Sequence, residues 1–160
     1  MYPDVLSIEI NALTPIWTGD ENGSGDKLCP TGLIGSFRWW YEALIRGLDG
    51  YACDPTSEKS CRIDENKLKN EDEIKKSICP ACYLFGCTGW QRKFRFEIRK
   101  IKNGSIGPLK TSSIKANEKL MLCFIPLKEF DMVEKSLLYT ALKIVSGYGS
   151  IGVVSKIISG

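Results

Sequence analysis

The chain has no histidine among its 160 residues. General acid–base chemistry would therefore fall to carboxylates, lysine, tyrosine or cysteine. A metal site, if there is one, has to be rich in thiolate. Long apolar runs are also missing, which excludes a membrane-spanning helix and a membrane partner. Residues 1–13 carry neither a basic n-region nor a continuous apolar h-region, so no secretory leader is expected and the reading is cytoplasmic. The net charge of +3 is too small to name a partner by itself. There is no internal repeat and no low-complexity tract.

Cysteine, by contrast, is plentiful. There are seven, an odd number, and in a reducing compartment they read as thiols or metal ligands rather than disulfides. Five of them fall between Cys53 and Cys87, inside a polar stretch with little apolar content of its own. Cys79-Pro80-Ala81-Cys82 can give a metal two ligands from one tight turn, and Cys53 and Cys61 can complete a tetrahedral set. That assigns a structural zinc to Cys53, Cys61, Cys79 and Cys82, with Cys87 as a spare. A metal would explain how so polar a segment folds. Cys123 lies in an apolar run and reads as a small buried hydrophobe. A redox dithiol is disfavoured, because Cys79-Pro80-Ala81-Cys82 does not sit between a strand and a helix.

Charge is unevenly distributed. Asp49 to Lys75 holds eight acids and five bases, whereas Trp90 to Lys115 holds eight Lys/Arg and a single acid, Glu97. Such clustering is the electrostatic footprint of a polyanion partner. Arginine matches phosphate geometry bidentately, so Arg38, Arg46, Arg92, Lys93, Arg95 and Arg99 are the candidate phosphate contacts. Trp39, Trp17 and Trp90 are candidates for stacking on splayed bases.

Periodicity orders the chain. Val5 to Leu13 alternates as a half-buried strand. Thr14 to Pro30 is a Gly-, Asp- and Asn-rich loop. Leu33 to Leu48 is helical, with Leu33, Phe37, Trp40, Tyr41, Leu44, Ile45 and Leu48 on one stripe, and Arg38, Glu42 and Arg46 spaced to pair with one another. Lys93 to Ile101 alternates again, with Phe94, Phe96 and Ile98 opposite Lys93, Arg95, Glu97 and Arg99. Asn103-Gly104 opens a loop. Lys119 to Ile125 is a strand apolar on both faces. Asp131 and Glu134 resemble a capping box before a helix to about Ser146, with Val133, Leu137, Ala141 and Ile144 as its stripe. Gly147 to Gly152 then forms a loop, and Val153 to Ile158 a last strand. The loop superficially matches a dinucleotide fingerprint, but the helix precedes it, so that reading is rejected. What remains is either a flexible loop whose exposed N–H groups, at Gly147 and Gly149, could approach phosphates, or a helix C-cap with a turn.

Strand, helix, strand, strand, helix, strand is the α+β ferredoxin-like (RRM-like) βαββαβ pattern, with helices on one sheet face. Residues 1–160 read as one such domain carrying a cysteine-rich insertion at about 50–90.

Three stretches carry a family resemblance: Leu13-Thr14-Pro15-Ile16-Trp17-Thr18-Gly19; Thr31-Gly32-Leu33-Ile34-Gly35-Ser36-Phe37-Arg38-Trp39-Trp40-Tyr41-Glu42-Ala43-Leu44; and Cys79 to Trp90. With the Gly147 to Gly152 loop they resemble the RAMP superfamily, the subunits of type III CRISPR–Cas effector complexes. Within it they are most similar to the N-terminal domain of the first Cmr (type III-B) subunit. The resemblance implies an RNA-binding subunit that contacts guide and target RNA beside other Cmr RAMP subunits. It would cap the filament near the guide 3′ end and help capture target RNA in antiviral defence. Zinc knuckles recur in the superfamily. Members with two such domains are longer than this chain. Cleaving relatives use an aspartate in the loop that here holds Asp20 and Asp26, but this subunit type is not a slicer, so no catalytic residue is assigned. Two further readings stand beside this one: a zinc-stapled protein-interaction module with no RNA contact, and a metal-dependent ribonuclease.

Overall fold

The computed structural model describes residues 5–16, 18, 28–64, 70–109, 113–148, 150–151 and 155–159. The elements are β1 (Leu6–Ala12), α1 (Pro30–Gly47), α2 (Glu71–Ser77), α3 (Pro80–Phe85), β2 (Phe94–Lys102), β3 (Ser105–Pro108), β4 (Lys119–Pro126), α4 (Met132–Tyr148), β5 (Ser150–Ile151) and β6 (Ser155–Ser159). The strands form an antiparallel sheet in the order β3-β2-β4-β1-β6-β5. Without the short edge strands β3 and β5, the order β2-β4-β1-β6 is that of a ferredoxin-like sheet. Among the described residues no helix is long and apolar enough to cross a membrane.

Register places the apolar residues of neighbouring strands opposite one another. Ile8 pairs with Leu122 and Ile10 with Leu120 across β1 and β4, and Phe96 pairs with Phe124 across β2 and β4. Period-2 alternation puts all of these on one face. α1 and α4 cover that face and contact each other. Phe37 of α1 meets Phe96 and Phe124 edge-on, both at 5.8 Å, and Phe94 meets Phe124 at 5.1 Å. Each buried phenylalanine contributes about 1.5–3 kcal/mol. The other face carries Ser7, Glu9, Arg95, Glu97, Arg99, Met121, Cys123 and Ile125.

Several local features depart from the sequence reading. Asn103 and Gly104 both take positive φ, 50° and 76°, and form a tight hairpin turn into β3 rather than opening a loop. The stripe that α4 buries is Leu138, Ala141, Leu142 and Val145, while Val133 is 64% exposed. Of the expected stripe, Val133, Leu137, Ala141 and Ile144, Ala141 is buried and Leu137 packs against the core, while the buried face is rotated toward Leu138, Leu142 and Val145. Leu48 is exposed because α1 stops at Gly47. Its end is closed by Asp49 at φ 62° and by the Gly50 N–H donating to Ile45 O at 2.9 Å. α4 runs through Gly147 to Tyr148, beyond the expected Ser146.

The capping box is formed as expected. Glu134 N donates to Asp131 Oδ1 and Asp131 N to Glu134 Oε2, both at 2.8 Å. Glu134 is also the partner of Lys93, whose Nζ lies 2.9 and 3.1 Å from its carboxylate oxygens. Both side chains are buried, at 3% and 7% exposure. Breaking such a pair leaves a charge uncompensated in the interior and costs about 3–5 kcal/mol. Lys93→Met and Glu134→Gln are each expected to destabilise the protein by that amount in chemical denaturation. The double variant should recover part of the loss; two fully additive losses would show that the pair is not coupled.

Candidate metal centre and nucleic-acid interface

The insertion between α1 and β2 is built around sulfur. The Sγ atoms of Cys53, Cys61, Cys79 and Cys82 all lie within 4.8 Å of one another. Cys53 Sγ is 3.3 Å from Cys82 Sγ and 3.8 Å from Cys79 Sγ. A tetrahedron with metal–sulfur bonds of about 2.3 Å has edges of about 3.8 Å, so the four sulfurs fit a four-coordinate ion. Cys79 is the N-cap of α3, and its Sγ accepts from Cys82 N at 3.4 Å; Cys61 Sγ accepts from Cys79 N at 3.4 Å. These N–H···S contacts form the turn that a Cys-x-x-Cys spacing anticipates. Cys87 lies outside the cluster.

Without a cation the cluster is electrostatically unfavourable. The hydrogen bond from Cys82 lowers the Cys79 thiol to about 4. The same bond, with burial, pushes the Cys82 thiol far up. Burial pushes Cys61 up to about 11. Cys79 is thus the sulfur that ionises most readily, while Cys61 and Cys82 resist a second charge at this spacing. A divalent ion is the kind of group that would let all four ionise together.

Two glycines shape the wall of this site. Gly86 takes φ +91° and Gly89 φ +82°. A Cβ on Gly89 would lie 2.2 Å from Ile63 O. Ile63 N donates to Thr88 O at 2.8 Å, so this close approach holds the segment carrying Cys61 against the one carrying Cys87.

The residues expected to contact phosphate fall on different surfaces. Arg38 and Arg46 of α1 face the insertion. Arg38 donates to Glu42, to Gly86 O and to Cys82 Sγ. Arg46 donates to Ala52 O and Cys53 O and lies 3.6 Å from Glu42. Trp39 is 58% exposed and meets Trp40 edge-on at 5.0 Å. It borders a cleft of about 560 Å³ between α1 and the loop Ala52–Thr56. Arg95 and Arg99 lie on the sheet face that no described helix covers, 52% and 47% exposed, and both bind Glu97 between them, at 2.8 and 3.0 Å. With Ile106, Met121 and Ile125 they line a groove of about 290 Å³. Arg92 is exposed just before β2, its guanidinium 6.0 Å from the Phe94 ring.

Lys93 is a correction. The expected alternation assigned it to the face of Arg95, but β2 begins at Phe94, and Lys93 turns inward to Glu134 and over the Tyr83 ring at 4.5 Å. It cannot reach a phosphate from there. Trp90 is likewise engaged: it stacks on Tyr83 at 5.6 Å, donates from Nε1 to Tyr83 O, and carries Lys128 Nζ 3.9 Å from its ring. Gly147 belongs to α4. Trp17, Asp20, Asp26 and Gly149 lie outside the described residues.

Against known proteins, the family model for the RAMP superfamily matches residues 9–153. The chain belongs to the RAMP superfamily. Two solved structures share its fold. A chain of a Type IV-B CRISPR complex aligns with a TM-score of 0.62 at 12% identity, over 98% of this chain and 90% of that one. Cmr1 from Pyrococcus furiosus, in its apo form, aligns with a TM-score of 0.55 at 14% identity, over 98% of this chain and 49% of that one. No curated protein sequence matches. Set on this RAMP fold, the cysteine cluster lies between α1 and β2, beside the helical layer, and Arg95 and Arg99 lie on the opposite, uncovered face.

Glu42 was not singled out as a site residue, although it is the group both α1 arginines share, at 3% exposure. Its four-residue spacing from each arginine was the available signal. Gly89→Ala forces a left-handed backbone on alanine and a clash with Ile63 O. It is expected to destabilise the insertion by about 1–3 kcal/mol, seen as a lower melting temperature and faster amide exchange at Ile63. An unchanged melting temperature would count against the close approach.

Proposed function

We propose that this RAMP protein is a subunit of a CRISPR effector complex that binds RNA along the uncovered face of its sheet, with its insertion stapled by one structural zinc. The observation that carries the reading is the family match over residues 9–153 joined to a fold shared, over 98% of the chain, with a component of a CRISPR complex. The groove bounded by Arg95 and Arg99 supports it. It offers two exposed guanidinium groups beside an apolar lining of exposed Val5 and Ile106 and part-exposed Met121, which suits a single strand with phosphates on the arginines and bases on the apolar side chains. Nothing in the groove reads base edges, so binding is expected to tolerate sequence. Guide and target RNA are the proposed ligands and neighbouring Cmr-type RAMP subunits the proposed protein partners. A position capping the filament near the guide 3′ end, with a part in target capture, rests on the resemblance to the first Cmr subunit, of whose solved chain this one covers 49%. The reading gives the chain no catalytic role and a cytoplasmic setting.

Four sulfur ligands favour a thiophilic ion such as zinc over the hard, oxygen-seeking cations magnesium and calcium. Held by Cys53, Cys61, Cys79 and Cys82, it would supply structure only. A second reading, a zinc-stapled module that docks on protein without touching RNA, is favoured by the exposed Leu127, Met132 and Val133 near the start of α4.

Elemental analysis of protein purified without added metal is expected to give about one zinc per chain, kept in Cys87→Ser and lost in Cys82→Ser. The combined change of Arg92, Arg95 and Arg99 to Glu should weaken single-stranded RNA binding at least about tenfold at low salt. The slope of log affinity against log salt should become shallower by about 0.7 per lost contact. Unchanged RNA affinity, with salt-insensitive binding to a neighbouring subunit, would favour the second reading.

A further inference from the structure

Arg38 divides one guanidinium three ways. Nε donates to Glu42 Oε1 at 2.7 Å, Nη1 to Gly86 O at 2.7 Å and Nη2 to Cys82 Sγ at 3.1 Å. All three acceptors are held in place. Glu42 is buried within α1, Gly86 caps α3 with φ +91°, and Cys82 lies within α3. The side chain of Arg38 is itself only 18% exposed. The planar fork is thus locked in position and aimed at one sulfur of the cluster.

The charge balance gives this contact its meaning. Four thiolates around a divalent ion carry a net charge of −2, and three of these four cysteines are buried. Buried charge has to be compensated by hydrogen bonds or an opposite charge. The backbone N–H groups of Cys79 and Cys82 supply uncharged donors to Cys61 and Cys79. Arg38 supplies a full positive charge to Cys82. The other α1 arginine, Arg46, bonds the carbonyls of Ala52 and Cys53 and makes no hydrogen bond to sulfur among the described residues.

We propose that Arg38 is an outer-sphere partner of the metal centre, a positioning residue that donates to the Cys82 sulfur and raises the affinity of the site for a thiophilic divalent cation. This rests on the metal reading given above. Outer-sphere partners of this kind contribute about 10–100-fold to metal affinity. They also lower the energy of the sulfur lone pairs, which a purely structural contact would not do.

The test uses Co²⁺ as the probe in the full chain, comparing the natural protein with Arg38→Gln, Arg38→Lys and Arg46→Gln. Affinity is read by competition with a chromophoric chelator, and sulfur electron density by the energy of the thiolate-to-cobalt charge-transfer band. Arg38→Gln is expected to bind about 10–100-fold more weakly, with the band moved to lower energy. Arg38→Lys keeps the charge but loses the fork, so its band should move the same way by less. Arg46→Gln loosens the insertion without touching sulfur, and its band should stay in place. If Arg38→Gln does not fold, Arg38→Lys decides, and a band and affinity equal to those of the natural protein overturn the proposal. A weaker site with an unmoved band also overturns it, since Arg38 would then act through packing alone. No charge-transfer band in the natural protein removes the metal reading itself and this inference with it, whereas a band present there and unmoved in the Arg38 variants removes the inference only.

Discussion

Four sulfurs brought within 4.8 Å of one another are the constraint around which the insertion and its seam with α1 are organised. Thiols at this spacing share protons: the hydrogen bond from Cys82 holds Cys79 at about 4, while Cys61 and Cys82 resist ionisation. A segment as polar as residues 53–78 has little apolar surface with which to enforce such crowding. The enforcement comes from outside it. α1 contributes Arg38 and Arg46, each bonded to insertion backbone, with Glu42 buried between them. Glu42 keeps two cations close together on one helix face, where their mutual repulsion would otherwise splay them. The acid that reads as a simple helix pair in sequence thus helps aim two arginines at a neighbouring segment.

The far side of the insertion is fastened by the other buried ion pair. Lys93 sits at the junction of four segments. Its N–H donates to Leu84 O, its carbonyl accepts from Leu127 and Lys128, and its ammonium reaches Glu134. Glu134 in turn closes the first turn of α4. The end of α3, the start of β2, the end of β4 and the start of α4 therefore meet at one residue. The insertion is bound by charge at both of its ends, and Leu84 and Phe85 of α3 join the common core, Phe85 meeting Tyr41 of α1 and Phe94 of β2. This is why it can add to the edge of a ferredoxin-like domain without a separate core.

How much of this could be read in the sequence follows from which interactions are local. β1 and β2 are readable because alternation is a property of the strand itself, β4 because it is a short apolar run, and α1 because its stripe is broad and ends in glycine. Cys79 and Cys82 are readable because a ligand pair spaced by two residues forms its own turn. Cys53 and Cys61 are the expected partners with Cys87 as a spare, a choice that spacing does not decide, and the structure brings the first four together. Lys93 was misassigned because alternation was extended one residue past the start of β2, where a non-local partner, Glu134, decides the direction of the side chain. The outcome for Arg38 and Arg46 was hidden for the same reason: their acceptors lie in a segment whose path no local pattern fixes. The β3 hairpin was the avoidable miss, since Asn103-Gly104 is itself a strong turn signal.

Burial separates the cations that hold this fold from those that can serve a ligand. Lys93 and Arg95 are two residues apart, and both are ion-paired. Removing Lys93 from Glu134 would leave two charges in the interior, a loss of about 3–5 kcal/mol that no surface contact to RNA offsets. Arg95 and Arg99 share Glu97 at about half exposure, where such pairs contribute only about 0.2–1 kcal/mol. A charge-assisted hydrogen bond is worth about 1.5–3 kcal/mol, so a phosphate can take either arginine from Glu97. Until then Glu97 holds the two guanidinium groups near one another on the sheet and limits the entropy lost when a ligand arrives. The mixed charge of that face is therefore compatible with anion binding, and burial, rather than the sign of the run in sequence, decides which of its bases can take part.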